Sequence, residues 1–131
     1  MAVIDPTWQV PAAGCRVYQW ATLLADDTGE PVRLVYYQDK SVQLGTVGGN
    51  TDGGATIVLQ GSNDPLADPA AVGHTNAVWF TLTDPQGNAI SRTTSAKIEE
   101  VTENPLWVRP VVTGGDETTD IDVVLTCKGG V

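Results

Sequence analysis

Thr119-Asp120-Ile121-Asp122-Val123-Val124-Leu125-Thr126-Cys127 decides the fold. Ile121, Val123, Leu125 and Cys127 fall on one side, and Asp120, Asp122, Val124 and Thr126 on the other. A period of two with one apolar side is the signature of a strand that buries one face and wets the other, as in an antiparallel sheet. The same rhythm recurs upstream. In Cys15–Leu23, Arg16, Tyr18 and Trp20 share one side, and Val17, Gln19 and Ala21 the other. Val32–Gln38 aligns Val32, Leu34 and Tyr36; Ser41–Val47 aligns Val42 and Leu44; Ala55–Gln60 aligns Ile57 and Leu59. Ala77–Thr83 sets Val78, Phe80 and Leu82 against Trp79 and Thr81, and Asn88–Arg92 and Leu106–Val112 complete the set.

Turn chemistry separates these runs. Asp84-Pro85-Gln86-Gly87 has Asp first, Pro second and Gly fourth, the residues a type I turn favours. Asp26-Asp27-Thr28-Gly29, Gly61-Ser62-Asn63-Asp64 and Thr113–Thr118 are further turn clusters, and Asp39-Lys40 reads as a tight connection. Pro65–Asn76, with two Pro, three Ala and the only His, reads as a long loop. Ser95–Glu103 is the one stretch that reads as a helical turn, with Ile98 and Val101 spaced to pin it. The expectation is all-β: an antiparallel β-sandwich or jelly roll of about eight strands with one short helical turn. Residues 1–14, with Pro6, Pro11 and Gly14 around Trp8, read as an extended N-terminal arm; 15–127 as a single sandwich domain; 128–131 as a tail.

Composition bounds the function. The chain has 131 residues and a formal charge of −9, from 16 Asp+Glu against 7 Lys+Arg. Clustered cations are what nucleic acid and anionic membrane surfaces need, so neither is an expected partner. No run of apolar residues is long enough to span a bilayer, and the Met1–Pro6 start lacks the pattern of a secretory leader, so synthesis in a cytoplasm is expected. Cys15 and Cys127 are then expected as reduced, mostly buried thiols, and pairing requires the first and last strands to be neighbours.

No catalytic constellation emerges, and the chain is read as no enzyme. His74 sits in the Gly/Ala/Pro loop with no Gly-x-Ser-x-Gly elbow. The carboxylate pairs Asp26-Asp27, Glu99-Glu100, Asp116-Glu117 and Asp120/Asp122 lie in turns or on outward faces, which is ordinary turn chemistry. Gly48–Gly54 is rich in glycine but is followed by a strand and no Lys-Ser/Thr, so it is not a phosphate loop. Asn50, Asp52, Asp64 and Asp68 are loop oxygen donors without calcium-loop spacing, and neither metal nor cofactor is expected. Trp8, Trp20, Trp79 and Trp107 could together floor a sugar site, though Trp residues inside strands belong more often to core or interface. The acids are expected on a solvated outer surface. A docking face would then be apolar or use Arg16, Arg33, Arg92 or Arg109.

Three stretches resemble a pattern in small structural proteins of tailed bacteriophages. They are Ala55-Thr56-Ile57-Val58-Leu59-Gln60-Gly61-Ser62-Asn63-Asp64, Val78–Asn88 with its Trp79 and Asp84-Pro85-Gln86-Gly87, and Glu103-Asn104-Pro105-Leu106-Trp107-Val108-Arg109-Pro110 running into Gly114-Gly115-Asp116. Over about residues 50–127 the chain is similar to head decoration, or cement, proteins and tail-associated β-sandwiches. That resemblance implies a structural virion protein on the capsid exterior, with the major capsid protein as partner and a homodimer or homotrimer as its form. On that reading the capsid or subunit contacts are Trp8, Val10 and Pro11 of the arm and Leu66, Val72 and His74 of the loop. The Gly-Ser-Asn-Asp corner also resembles discoidin-like galactose-binding jelly rolls, which implies a carbohydrate-binding module of a phage tail or receptor-binding structure as the alternative. The Pro65–Asn76 insertion departs from that pattern, so no ligand residue carries over.

Overall fold

The computed structural model describes residues 2–35, 37–45, 52–93 and 96–129. Its twelve strands are β1 (Val3–Ile4), β2 (Thr7–Ala12), β3 (Cys15–Leu23), β4 (Thr28–Gly29), β5 (Val32–Arg33), β6 (Asp39–Leu44), β7 (Thr56–Ser62), β8 (Phe80–Thr81), β9 (Ser91–Arg92), β10 (Lys97–Glu100), β11 (Trp107–Thr113) and β12 (Ile121–Lys128). They form two sheets. One runs β1-β4-β11-β7-β8, with β5 also on β11 and β9 also on β7; the other runs β10-β6-β12-β3-β2. The fold is the expected all-β sandwich, with more and shorter strands than the sequence suggests.

The core is the set of inward positions that the alternation marks. Tyr18, Trp20 and Leu23 of β3, Val42 and Leu44 of β6, Ile57 and Leu59 of β7, Val108 and Val112 of β11, and Ile121, Val123, Leu125 and Cys127 of β12 are buried in one cluster. Each such side chain contributes about 1.5–3 kcal/mol by leaving water. Trp20 is fully buried and its indole Nε1 donates to the Glu30 carbonyl at 3.0 Å. Gly29 lets β4 pass that ring: a Cβ there would lie 2.6 Å from Pro110 and 2.7 Å from Trp20. Pro110 lies in an inner strand, where a missing N–H is usually costly. Here β11 pairs with β5 through Trp107 and Val108 and with β4 through Val111, so Pro110 falls between the two partners on that side.

Several local expectations are corrected. Ser95–Glu103 is not helical: Lys97–Glu100 pairs with β6 as an edge strand, and Ile98 is 68% exposed while Val101 enters the core. Sheet pairing supplied every backbone partner a short helix would have had, and Ser95 itself lies outside the described residues. The helical turns are 3-10 turns at Pro65–Ala67 and His74–Asn76 instead, inside the long loop. Asp39-Lys40 is no turn but the start of β6. Among the described residues, Val32–Gln38 forms strand only at Val32–Arg33, and Ala77–Thr83 forms strand at Phe80–Thr81 with one further bridge from Thr83 to Ala89. Of the side shared by Val78, Phe80 and Leu82, only Leu82 is buried; Phe80 is 69% exposed on β8, an edge strand. Tyr36, Thr46–Thr51 with Asn50 and most of the glycine-rich loop, and Gly130-Val131 of the tail lie outside the described residues.

Candidate functional site

The first and last long strands are neighbours, so the two ends of the sandwich can be compared row by row. At one end, β3 starts, β12 finishes and β6 starts. Arg16, Cys127 and Lys40 stand in one cross-strand row, and Cys15, Lys128 and Asp39 in the next. Cys15 therefore faces Lys128 across the pair, one position from Cys127 and on the opposite side of the sheet; both thiols are free. Burial pushes the Cys127 thiol up to about 12.

Arg16 lies over the Trp8 ring, 4.6 Å from its centroid, and its Nη1 donates to the Tyr18 hydroxyl at 3.3 Å. Its Nε is buried and makes no hydrogen bond. Trp8 stands opposite Tyr18 in register, on the face that looks toward the second sheet, but at the open edge, where it stays 59% exposed. Across that mouth runs the segment after β5. Val32 and Leu34 go into the core and Arg33 and Val35 are exposed, while Tyr37 is half-buried and packs against the core. Arg16, Arg33, Val35 and Tyr37 line a cleft of about 290 Å³, with no carboxylate among the described residues of its wall. Deeper in, Lys40 is buried, and its Nζ donates to the Asn104 side chain and, at 3.4 Å, to the Gln38 carbonyl. Burial holds its pKa below the usual lysine range.

The opposite end carries Asp26, Asp27, Asp52, Asp116, Glu117, Asp120 and Asp122 in or beside its turns. These acids are not simply solvated. Asp27 is buried and accepts from the Ala2 and Leu24 amides at 3.0 and 2.8 Å. Asp26 accepts from Gly114 N–H, Asp122 from Thr22 N–H, and Asp116 from both the amide and hydroxyl of Thr118. Arg92, expected as a surface cation, is buried there: Nη2 pairs with Asp52 at 2.8 Å and Nη1 donates to the Leu44 carbonyl at 2.9 Å. Gly45 leaves the room that Arg92 occupies.

A second cleft, about 280 Å³, lies beside the long loop and includes Val3, Ala67, Pro69, His74, Trp79 and Arg109 in its wall. Arg109 sits 4.0 Å from the Trp79 centroid, its Nε donating to Gln60 at 3.0 Å. Asp64 caps the 3-10 turn, its two oxygens accepting from Leu66 and Val78 N–H, and those bonds hold it below the usual carboxylate range. Among the described residues no three His, Cys, Asp or Glu side chains group to hold a metal. No helix among them is long and apolar enough to cross a membrane.

The residues singled out from the sequence fall into two places. Trp8, Val10 and Pro11 lie on β2, the outermost strand of the five-stranded sheet, and all are exposed. Leu66 is half-buried in its 3-10 turn, Val72 is 98% exposed at the loop tip, and His74 is exposed with Nδ1 3.2 Å from the Ala71 carbonyl. Trp20 and Trp107 are buried, so the four Trp do not form one platform. Sequence reasoning names Arg16 and Arg33 as docking cations but does not bring them together or set Val35 and Tyr37 beside them, because the two arginines lie in different sheets.

No family model matches the chain, and no curated protein matches it. Among solved structures, the fold is similar to the SPBc2 prophage-derived protein YomS. The TM-score is 0.59 at 12% identity, covering 91% of this chain and 98% of that one. The K3 cleaved adhesin domain of Lys-gingipain from Porphyromonas gingivalis aligns at a TM-score of 0.37 and 10% identity, covering 88% of this chain and 64% of that one, too distant to carry an argument.

Proposed function

We propose that this protein is a non-catalytic structural part of a bacteriophage virion. It docks on the outside of the capsid as a homodimer or homotrimer and cements neighbouring major capsid subunits. The observation that carries the reading is β2. Its six residues, Thr7-Trp8-Gln9-Val10-Pro11-Ala12, are all exposed and uncharged on a molecule of charge −9. An edge strand of that kind offers unpaired backbone groups and apolar side chains to a neighbour. The exposed loop tip at Val72 is a second point of attachment. The phage setting is supported by the fold's likeness to a prophage-derived protein over nearly its whole length.

The mechanism is linkage. A part that binds only the assembled, expanded shell stabilises that state, by about 2.7 kcal/mol per site at a hundredfold excess over Kd. Modest affinity per contact suffices when several subunits are engaged at once. Purified protein incubated with expanded empty heads is expected to co-sediment with them and raise their melting temperature. Neither effect appearing overturns the reading. Copy number sharpens it: hundreds per virion mean a shell component, about a dozen or fewer a tail part. The carbohydrate reading has lost two of its four Trp to the core and keeps Trp8 and Trp79, each with an arginine on its ring. Glycan-dependent quenching of Trp fluorescence would restore it.

A further inference from the structure

We infer that the Arg16–Arg33 cleft beside Trp8 is the docking site for an acidic protein segment. The inference rests on the virion reading only for who carries that segment, a shell subunit; the recognition chemistry stands on the cleft itself. Four features support it. Among the described residues the cleft wall holds two guanidinium groups and no carboxylate, on a chain whose acids outnumber its cations by more than two to one. Arg16 is preset, stacked over Trp8 and bonded to Tyr18, while its Nε is buried with no acceptor. Planar guanidinium forks match carboxylates in pairs, and aromatic stacking limits the entropy lost on binding. Finally, Arg16 of the cleft lies over Trp8 of the edge strand β2, so a segment seated in the cleft can also take backbone hydrogen bonds from that edge.

The occupant is argued from charge and size. A nucleic acid needs an array of cations along its backbone, and a polyanion approaching this molecule meets the repulsion of a net −9. A cleft of about 290 Å³ with two arginines suits one or two carboxylate side chains on an extended peptide. At the far end of a second copy, Asp26, Asp27, Asp116 and Asp122 already hold their own turns, and docking through that end is one form of the self-association tested below. That contact is also head-to-tail and closes only if the rotation allows.

The test uses hexaglutamate as probe and the full chain, followed by NMR shifts of the Arg16 and Arg33 side chains and by Trp fluorescence. Saturable binding that weakens with rising salt is expected, with loss of about tenfold in affinity for Arg33→Gln and more for Arg16→Gln with Arg33→Gln. Lys97→Gln, on the opposite edge, should bind as the parent does. Arg33 is exposed, so its variant reads binding even if the double variant proves unstable. No saturable shift, equal binding of polyphosphate, insensitivity to Arg33→Gln, or self-association through the cleft overturns the inference. The two proposals fail separately. Hexaglutamate binding without head binding removes the capsid reading and leaves the site. Head binding that Arg33→Gln does not weaken removes the site and leaves the capsid reading.

Discussion

The two ends of this sandwich put their charged side chains to different uses. At the acidic end the carboxylates are structural: they accept backbone N–H bonds across the turns, and Arg92 is sealed in with Asp52. At the basic end, where Asp39 and Glu100 stand among the cations, Arg16 leans on the Trp8 ring and lines a cleft with Arg33, while Lys40 is buried and bonded to Asn104. The difference teaches that a strongly acidic composition need not mean an acidic surface of uniform purpose. Charges sealed in with a backbone or ion-pair partner hold the fold, while a guanidinium lining an open cleft is available to something else.

The largest expected effect falls at the acidic end. Arg92→Met leaves Asp52 facing a buried apolar group, and removing one partner of such a pair costs about 3–5 kcal/mol; urea unfolding checks it. A loss no greater than that of a surface substitution would break the comparison. Asp27→Ala strands the Ala2 and Leu24 amides and should cost about 1–3 kcal/mol in the same measurement.

The ends should also part in their response to pH. Asp116 is held below its usual range by the Thr118 hydroxyl and amide. Its contribution is therefore present above the unfolded carboxylate pKa and lost as pH falls through the lower folded value. Asp116→Asn should flatten the acid limb of stability. Cys127 is shifted the other way, from 9.0 to about 12. The native thiol keeps a proton the unfolded chain loses, so stability falls as pH rises from 9 toward 12. Cys127→Val should flatten the alkaline limb and leave the acid limb alone. The smallest effect belongs to Arg33→Gln, within about 0.5 kcal/mol on stability because the side chain is exposed. A large loss there would mean the basic end is structural too.

Much of the fold was legible residue by residue. The alternation through Cys15–Leu23 and Thr119–Cys127 marked Tyr18, Trp20, Ile121, Val123, Leu125 and Cys127 as inward, and they are buried. The Asp84-Pro85-Gln86-Gly87 turn forms, with Gly87 at φ 85° and Asp84 accepting from Gln86 and Asn88. The edge segments were misjudged. Lys97–Glu100 carries a weak local signal that suits a helix or a strand equally, and only the free edge of β6 settled it. Phe80 shares a side with Leu82 yet stays exposed, because period two says which side a residue takes, not whether another layer covers that side. The candidate contacts on β2 and the loop were visible as punctuation by Pro and Gly. The cleft was not, because Arg16 and Arg33 belong to different sheets.

The sequence alone determined the class of fold, the inward rows and the scarcity of cations, since period, turn chemistry and composition are local or additive properties. Only the tertiary structure decided which cations met acids and which met aromatic rings. It buried Arg92 against Asp52 and left Arg16 under Trp8 facing Arg33, because strand order and register bring together residues that no local pattern relates.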